Sequence, residues 1–280
     1  MTATRESDLP LVTTTSTPSL SRFRPTVSAE VGRTYASWLS LVWVALIAAP
    51  VAWTATKDAV FAYPLSAFAT AMESPVSVVL PLIAVGLYLV RFSRELSDRF
   101  VVNVRARLDV RRYLGTKAAA TAATAFLFFF IYAFVAFVAM VYVLPPTGAL
   151  RFDPTGSVAA DHFARFSELW SVSPLLYGLV YAVWCGLNGV VWALVGFIAV
   201  LLVPNKLLAL AVPVASVLLL SVAANLVGFD LLAPYTLWIL FGYIQAPPWT
   251  ALAPMAVLLA AVTVGAVLVV NRSATLAAVQ

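Results

Sequence analysis

The sequence predicts an all-α integral membrane protein of six transmembrane helices, with both termini cytoplasmic. Three observations carry that prediction. Of the 280 residues, 62% are hydrophobic and only 10% charged, whereas a soluble domain is about half apolar and about a quarter charged. So few charges cannot cover so much apolar surface in water, and lipid becomes the solvent for most of the chain. The apolar residues fall into six runs of the length that a bilayer core of roughly 30 Å requires of a helix. The cations are sorted unequally between the connections on the two sides.

In chain order, residues 1–28 are rich in Thr, Ser and Pro without a sustained apolar period, the composition of a disordered cytoplasmic tail. They lack a basic stretch followed by an apolar core and a small-residue cleavage site, so they do not read as a secretory signal. Residues 29–280 form a single six-helix transmembrane domain, opened by a short surface helix over Glu30 to Trp38. The spans fall at about 36–56, 74–92, 117–143, 173–203, 207–227 and 250–270. Each is free of ionised residues in its centre, where one Arg, Lys or Asp costs at least ~2.5 kcal/mol. The third and fourth runs exceed the minimum length and predict tilt or extension beyond the bilayer. Pro50, Pro75, Pro81 and Pro213 lie inside spans, where neighbouring helices satisfy the freed carbonyls.

Orientation follows from the loops. With the N-terminus inside, 14 Lys and Arg fall on cytoplasmic segments and only Lys57, Arg151 and Arg165 outside, while the twelve acids divide evenly. Cations alone therefore carry the asymmetry, as the positive-inside rule demands. Six spans return the C-terminus to the cytoplasm. The same sorting explains the net charge of +5 without nucleic acid.

Catalytic constellations are missing from the sequence. A P-loop needs Lys directly after Gly, but Lys57, Lys117 and Lys206 follow Thr56, Thr116 and Asn205. The lone histidine, His162, lies in an outer loop, and one His with one Cys cannot build a metal cluster. Cys185, inside an apolar run, reads as a small buried residue. Proton or sodium carriers place carboxylates, His or Lys within their spans. Here the intramembrane polar residues are of the type of Asn188, Asn225, Ser216, Ser221, Thr121 and Thr124, which more often join helices than line a path.

Two connections stand out. Between spans two and three, Leu96, Phe100, Val104 and Leu108 recur every four residues with Arg and Asp on the other faces, and Glu95 precedes Arg99 by four. That is an amphipathic cytoplasmic helix of about four turns, suited to anionic lipid or to a partner protein. Between spans five and six, Gly228 to Trp249 is nearly as apolar as a span but is broken by Pro234, Gly242, Pro247 and Pro248. It reads as a re-entrant outer segment rather than a seventh span, which would put Arg272 on the wrong side.

The combination of surface helix, basic cytoplasmic helix, broken outer segment and short basic C-terminus resembles the ABC-2 type permeases, membrane subunits of ATP-binding-cassette exporters. The likeness covers about residue 30 to the C-terminus. Glu95 matches the glutamate that opens the family's cytoplasmic helix, and the stretch from Asp109 to Lys117 matches its basic lead-in to span three, including the terminal lysine. Ser97 and Asp98 stand where the family has Gly-Thr, and its proline is absent.

The resemblance implies an exporter subunit of a bacterial plasma membrane, not itself an enzyme. It would bind no cofactor or metal; ATP and Mg would sit on a separate ABC ATPase partner. A second copy or a homologous permease would complete the pathway. The cargo would be an amphipathic, peptide, drug or lipid-like molecule. Glu95, Asp98, Arg99, Phe100 and Val104 would contact the ATPase. Asn188, Asn225 and Trp184 would line the substrate pathway, and Tyr235, Trp238 and Phe241 would form the outer gate. Two rival readings are the substrate-binding membrane subunit of an energy-coupling-factor importer and a non-transporting assembly or immunity factor.

Overall fold

A computed structural model describes residues 26–35, 39–57, 59–75, 79–97, 109–153, 166, 168–229, 233–234, 247 and 249–279. These residues are almost entirely helical. The chain begins with α1 (Val27–Tyr35) and α2 (Leu39–Ala55), then the two-residue strand β1 (Val60–Phe61) and α3 (Pro64–Met72). The helix α4 (Leu80–Ser97) leads to α5 (Val110–Val138), which continues through a π-helical turn (Ala139–Val143) into α6 (Leu144–Thr147). After β2 (Arg151–Phe152) come α7 (Glu168–Val172), α8 (Pro174–Leu202), α9 (Lys206–Leu226) and α10 (Trp249–Val279).

Four stretches are long and apolar enough to cross a membrane: Val110–Thr147, Pro174–Leu202, Lys206–Leu226 and Trp249–Arg272. They coincide with the last four runs expected from the sequence. The chain is a multi-pass α-helical membrane protein. The two earlier runs yield shorter apolar helices. α2 has 17 residues, and α4 has 18 residues but carries Arg91, Arg94 and Glu95 in its final turns.

Sequence chemistry sets the helix ends. Asp109 caps α5 by accepting from the Arg111 amide at 3.0 Å, and Ser173 followed by Pro174 starts α8. The turn from α8 to α9 is tight. Asn205 accepts from the amides of Leu207 and Leu208, while the Lys206 ammonium donates to the Val200 carbonyl at 3.0 Å. The π turn falls where Pro145 and Pro146 supply no N–H to the carbonyls of the preceding turn. Gly148, at φ 72°, then ends the helix in the left-handed conformation.

α5 and α8 form the centre. Three glycines on α8 meet aromatic rings of α5: a Cβ at Gly178 or Gly189 would overlap Phe137 or Phe129, and one at Gly186 would come within 2.8 Å of Phe126. Small residues that let apolar helices approach are what drives association in lipid, where burial of apolar area gives little. α4 packs on the same helix through the stacked pair Phe92 and Phe197. α9 and α10 lie at the edge and expose rows of apolar side chains such as Leu207, Leu219, Val257 and Leu268, the surface expected to face lipid.

α3 is an element that the sequence reading placed in an outer loop. Its nine residues bury Leu65, Ala67, Phe68, Ala71 and Met72. The Phe68 ring stands edge-on to Phe137 and Tyr181 at 5.4 and 5.0 Å. The parallel pairing of β1 with β2, Val60 opposite Arg151, fastens the same region to the connection that follows α6.

Candidate functional site

The connection from α4 to α5 leaves at Ser97 and returns at Asp109, and just inside those two ends lies a buried ionic cluster. α4 places Tyr88, Arg91 and Glu95 on one side, by i, i+3 and i+7 spacing. α5 contributes Tyr113 and Lys117 by i, i+4, and α1 contributes Glu30 and Arg33 by i, i+3.

Lys117 is the hub. Its ammonium lies 2.8 Å from Glu95 Oε2 and 3.1 Å from Glu30 Oε2. The Tyr88 hydroxyl donates to Glu30 Oε2 at 3.0 Å, and the Tyr113 hydroxyl donates to Glu95 Oε2 at 3.1 Å. Both phenol rings also face the ammonium, at 5.7 Å for Tyr88 and 5.5 Å for Tyr113, close enough for cation–π attraction. At the rim, Arg33 approaches Glu30 at 3.7 Å and Arg91 approaches Glu95 at 3.5 Å. The Lys117 and Glu30 side chains are only 4% and 7% exposed, which leaves no room for a substrate at the hub.

Burial on its own would push the Glu30 carboxyl upward. The Lys117 charge and its hydrogen bond, then the Tyr88 hydroxyl and Arg91, outweigh that and hold Glu30 below its ordinary value of 4.5. α1 is fastened a second time through Tyr35, whose hydroxyl donates to the Thr124 carbonyl of α5 at 2.9 Å. Burial drives that phenol up to about 12. Its ring leans on Trp43, which stands edge-on to Phe128 at 5.0 Å.

The depth of Lys117 follows from length. Val110–Thr147 covers 38 residues, roughly 57 Å at 1.5 Å per residue, more than the ~40–45 Å of a whole bilayer with headgroups. Lys117, two turns from the start of α5, therefore sits near the headgroup level. At that level a cation needs partners, and the cluster supplies them.

Of the residues singled out for ATPase contact, Glu95 occupies the last turn of α4 and turns inward to Lys117 and Tyr113. Asp98, Arg99, Phe100 and Val104 lie outside the described residues. Asn188 is buried, and its amide donates to the Trp184 carbonyl one turn back at 3.0 Å, a bond within α8. Trp184 is buried with its ring edge-on to Phe166 at 5.9 Å. Asn225 is exposed at the end of α9. Tyr235, Trp238 and Phe241 lie outside the described residues, as does His162. Cys185 is buried as a free thiol. Among the described residues no group of three His, Cys, Asp or Glu is placed to hold a metal.

The sequence reading did not assemble Glu30, Tyr88, Tyr113 and Lys117 into one site. It treated Lys117 as a loop cation counted toward orientation and as the lysine opening span three. The available signal was its position beside an apolar run, where an ionised residue requires an opposite charge. Compared with protein-family models, curated proteins and solved structures, the chain has no match. The fold and the cluster define its class: a multi-pass membrane protein in which one buried lysine ties three helices together.

Proposed function

We propose that this chain is the membrane permease subunit of an ABC-2 type exporter, driven by a separate ATPase and moving an amphipathic, peptide, drug or lipid-like cargo across a bacterial plasma membrane. α2 and α4 then serve as the first two of six spans, short ones, with both termini cytoplasmic by the cation asymmetry of the loops. Two copies, or this chain and a homologous permease, enclose the pathway.

The observation that supports this reading best is the Glu30–Lys117–Glu95 cluster. A coupling segment must pass a push from the ATPase to several spans at once. Here the segment between Ser97 and Asp109 enters and leaves beside a single ion cluster that also grips α1. A displacement of that segment acts on α4 and α5 directly, and on α1 through Lys117. In this scheme Glu95 anchors the coupling segment instead of touching the ATPase, and contact falls to Asp98, Arg99, Phe100 and Val104.

The test is affinity purification from the native membrane in mild detergent, with mass identification of what co-elutes. A stoichiometric chain bearing G-x-x-x-x-G-K-[ST] is the expected result. Recovery of the protein alone, across several detergents and with ATP analogues present, overturns the proposal.

A further inference from the structure

A second feature lies on the lipid side of the bundle, away from the ionic cluster. α5, α8 and α10 enclose a groove of about 390 Å³, to which α8 contributes Val190 and Leu194. That volume falls within the range of small-molecule pockets. The α5 wall is Gly115, Ala118, Ala119 and Ala122 below Arg111; the α10 wall includes Ala266, Val267 and Asn271. The groove is open along its length, because Ala119, Thr263 and Val267 are exposed. It is also unfilled, since a Cβ added at Gly115 would meet nothing within 4 Å.

The shape and charge of the groove fit one kind of occupant. From Arg111 to Ala122 the wall rises roughly 16 Å along α5, from the headgroup layer, where Lys117 also lies, into the outer part of the ~30 Å hydrocarbon core. Arg111 and Asn271 mark the headgroup level, because the apolar stretch of α10 ends at Arg272 after 24 residues, a span of roughly 36 Å. Arg111 lines this mouth and is exposed, and the next residues along the two helices, Arg112 after Arg111 and Arg272 after Asn271, are exposed cations as well. The nearby acid, Asp109, accepts the Arg111 amide as a helix cap. The walls are apolar below and the mouth is cationic, which is complementary to a molecule with an anionic head and an acyl tail. Small side chains lining a membrane groove also suit a helix of a second copy, but such a helix would have to end with its C-terminus at the mouth to use Arg111, whereas an anionic headgroup meets that charge at its natural depth.

We propose that the α5–α10 groove holds one anionic phospholipid of the cytoplasmic leaflet, its head at Arg111 and one acyl chain entering past Gly115 to lie along Ala119 and Ala122. Binding there rests on the chain spanning the membrane with the start of α5 on the cytoplasmic side, and does not depend on the exporter role. The side chains divide the work: the small wall admits any acyl chain, and Arg111 selects the charge of the head.

Native mass spectrometry of the full chain, exchanged into phosphatidylglycerol or phosphatidylcholine of matched acyl length, tests this. The wild-type chain is expected to retain one phosphatidylglycerol in preference to phosphatidylcholine. Arg111→Gln is expected to weaken phosphatidylglycerol retention about fivefold, the effect of one cation beside an anionic surface, and to leave phosphatidylcholine unchanged. Gly115→Leu places a side chain in open space and removes retention of both lipids; Ala119→Leu does the same from the exposed side. Equal retention of the two lipids by the wild type overturns the proposal. So does unchanged retention in both filled variants, or a lipid-free dimer whose contact Gly115→Leu disrupts.

Discussion

Replacing the hub cation by a neutral side chain of similar length, Lys117→Met, tests the cluster most directly. The variant leaves the Glu30 and Glu95 carboxylates, which now share Lys117 at 3.1 and 2.8 Å, facing each other without it. Removing one partner of a buried ion pair costs about 3–5 kcal/mol, because the remaining charge stays buried and uncompensated. Arg33 and Arg91 approach only the outer oxygens, at 3.7 and 3.5 Å, and are about half exposed, so they offset little of that loss. Unfolding is followed through Cys185, the single cysteine, buried in the fold and unmasked to a thiol-reactive dye when the helices separate.

The pH dependence separates this account from a simple packing defect. In the wild type the Glu30 carboxyl titrates below 4.5, so its contribution is complete above that pH and is lost as the pH falls through the folded-state value. In Lys117→Met the main opposing charge is gone, and burial acts on Glu30 with little to counter it. The carboxyl is then raised, so stability falls as the pH rises through the folded-state value and is regained on acidification. The expected result is a loss of about 3–5 kcal/mol at neutral pH that shrinks toward pH 4.5. A variant within about 0.5 kcal/mol of the wild type, or one with the wild-type pH slope, refutes the reasoning.

Other perturbations address the remaining contacts. Tyr88→Phe and Tyr113→Phe each remove one hydrogen bond to a carboxylate, worth about 1.5–3 kcal/mol, and both should lower the thiol-unmasking midpoint without changing the helix content seen by circular dichroism. Gly189→Leu drives a side chain into the Phe129 ring and should cost at least the ~1–3 kcal/mol of overpacking, whereas Gly115→Leu should be neutral by the same assay. Charge reversal in Glu95→Lys with Arg99→Glu should abolish transport-coupled ATP hydrolysis in the reconstituted complex while leaving membrane insertion intact; unchanged hydrolysis would count against the coupling role of this segment.

The long spans were legible because length and hydropathy suffice for them. The runs expected at 117–143, 173–203, 207–227 and 250–270 lie within or nearly match the observed spans, and α5 starts earlier, at Val110, because Asp109 caps it. α3 was not legible: nine residues are too few for a membrane span, and PLSAFATAM in isolation does not distinguish a buried helix from an apolar loop. The ionic cluster was hidden for a different reason. Its members lie up to 87 positions apart, as Glu30 and Lys117 do, and nothing local in the sequence pairs them. Glu95 was recognised as important but pointed toward a partner, because the resemblance to the ABC-2 type permeases places a glutamate at the start of the helix that meets the ATPase. In the fold the same carboxylate turns to the buried Lys117, at 2.8 Å, where the charge-assisted bond is strong.

Why a membrane protein would use charge at this position can itself be tested. Buried ion pairs are poor sources of net stability, since desolvation offsets their attraction, but their directional bonds fix one arrangement of the elements they join. In lipid the point is sharper, because apolar contact alone does not hold α1 at one register against α5. An apolar replacement of the whole cluster, Glu30→Leu with Tyr88→Phe, Glu95→Leu, Tyr113→Phe and Lys117→Met, removes every buried charge together with the hydroxyls that would lose their acceptors. By this argument its stability returns to within about 1–2 kcal/mol of the wild type or exceeds it, in contrast to Lys117→Met alone. The ionic connection from the coupling segment to α1 is nevertheless lost, leaving only the Tyr35 hydroxyl on the Thr124 carbonyl, so coupled ATP hydrolysis should fall sharply. Retained coupling in that variant would mean that packing alone transmits the push, and a stability as low as that of Lys117→Met would mean that the ion pairs hold the fold together rather than its register.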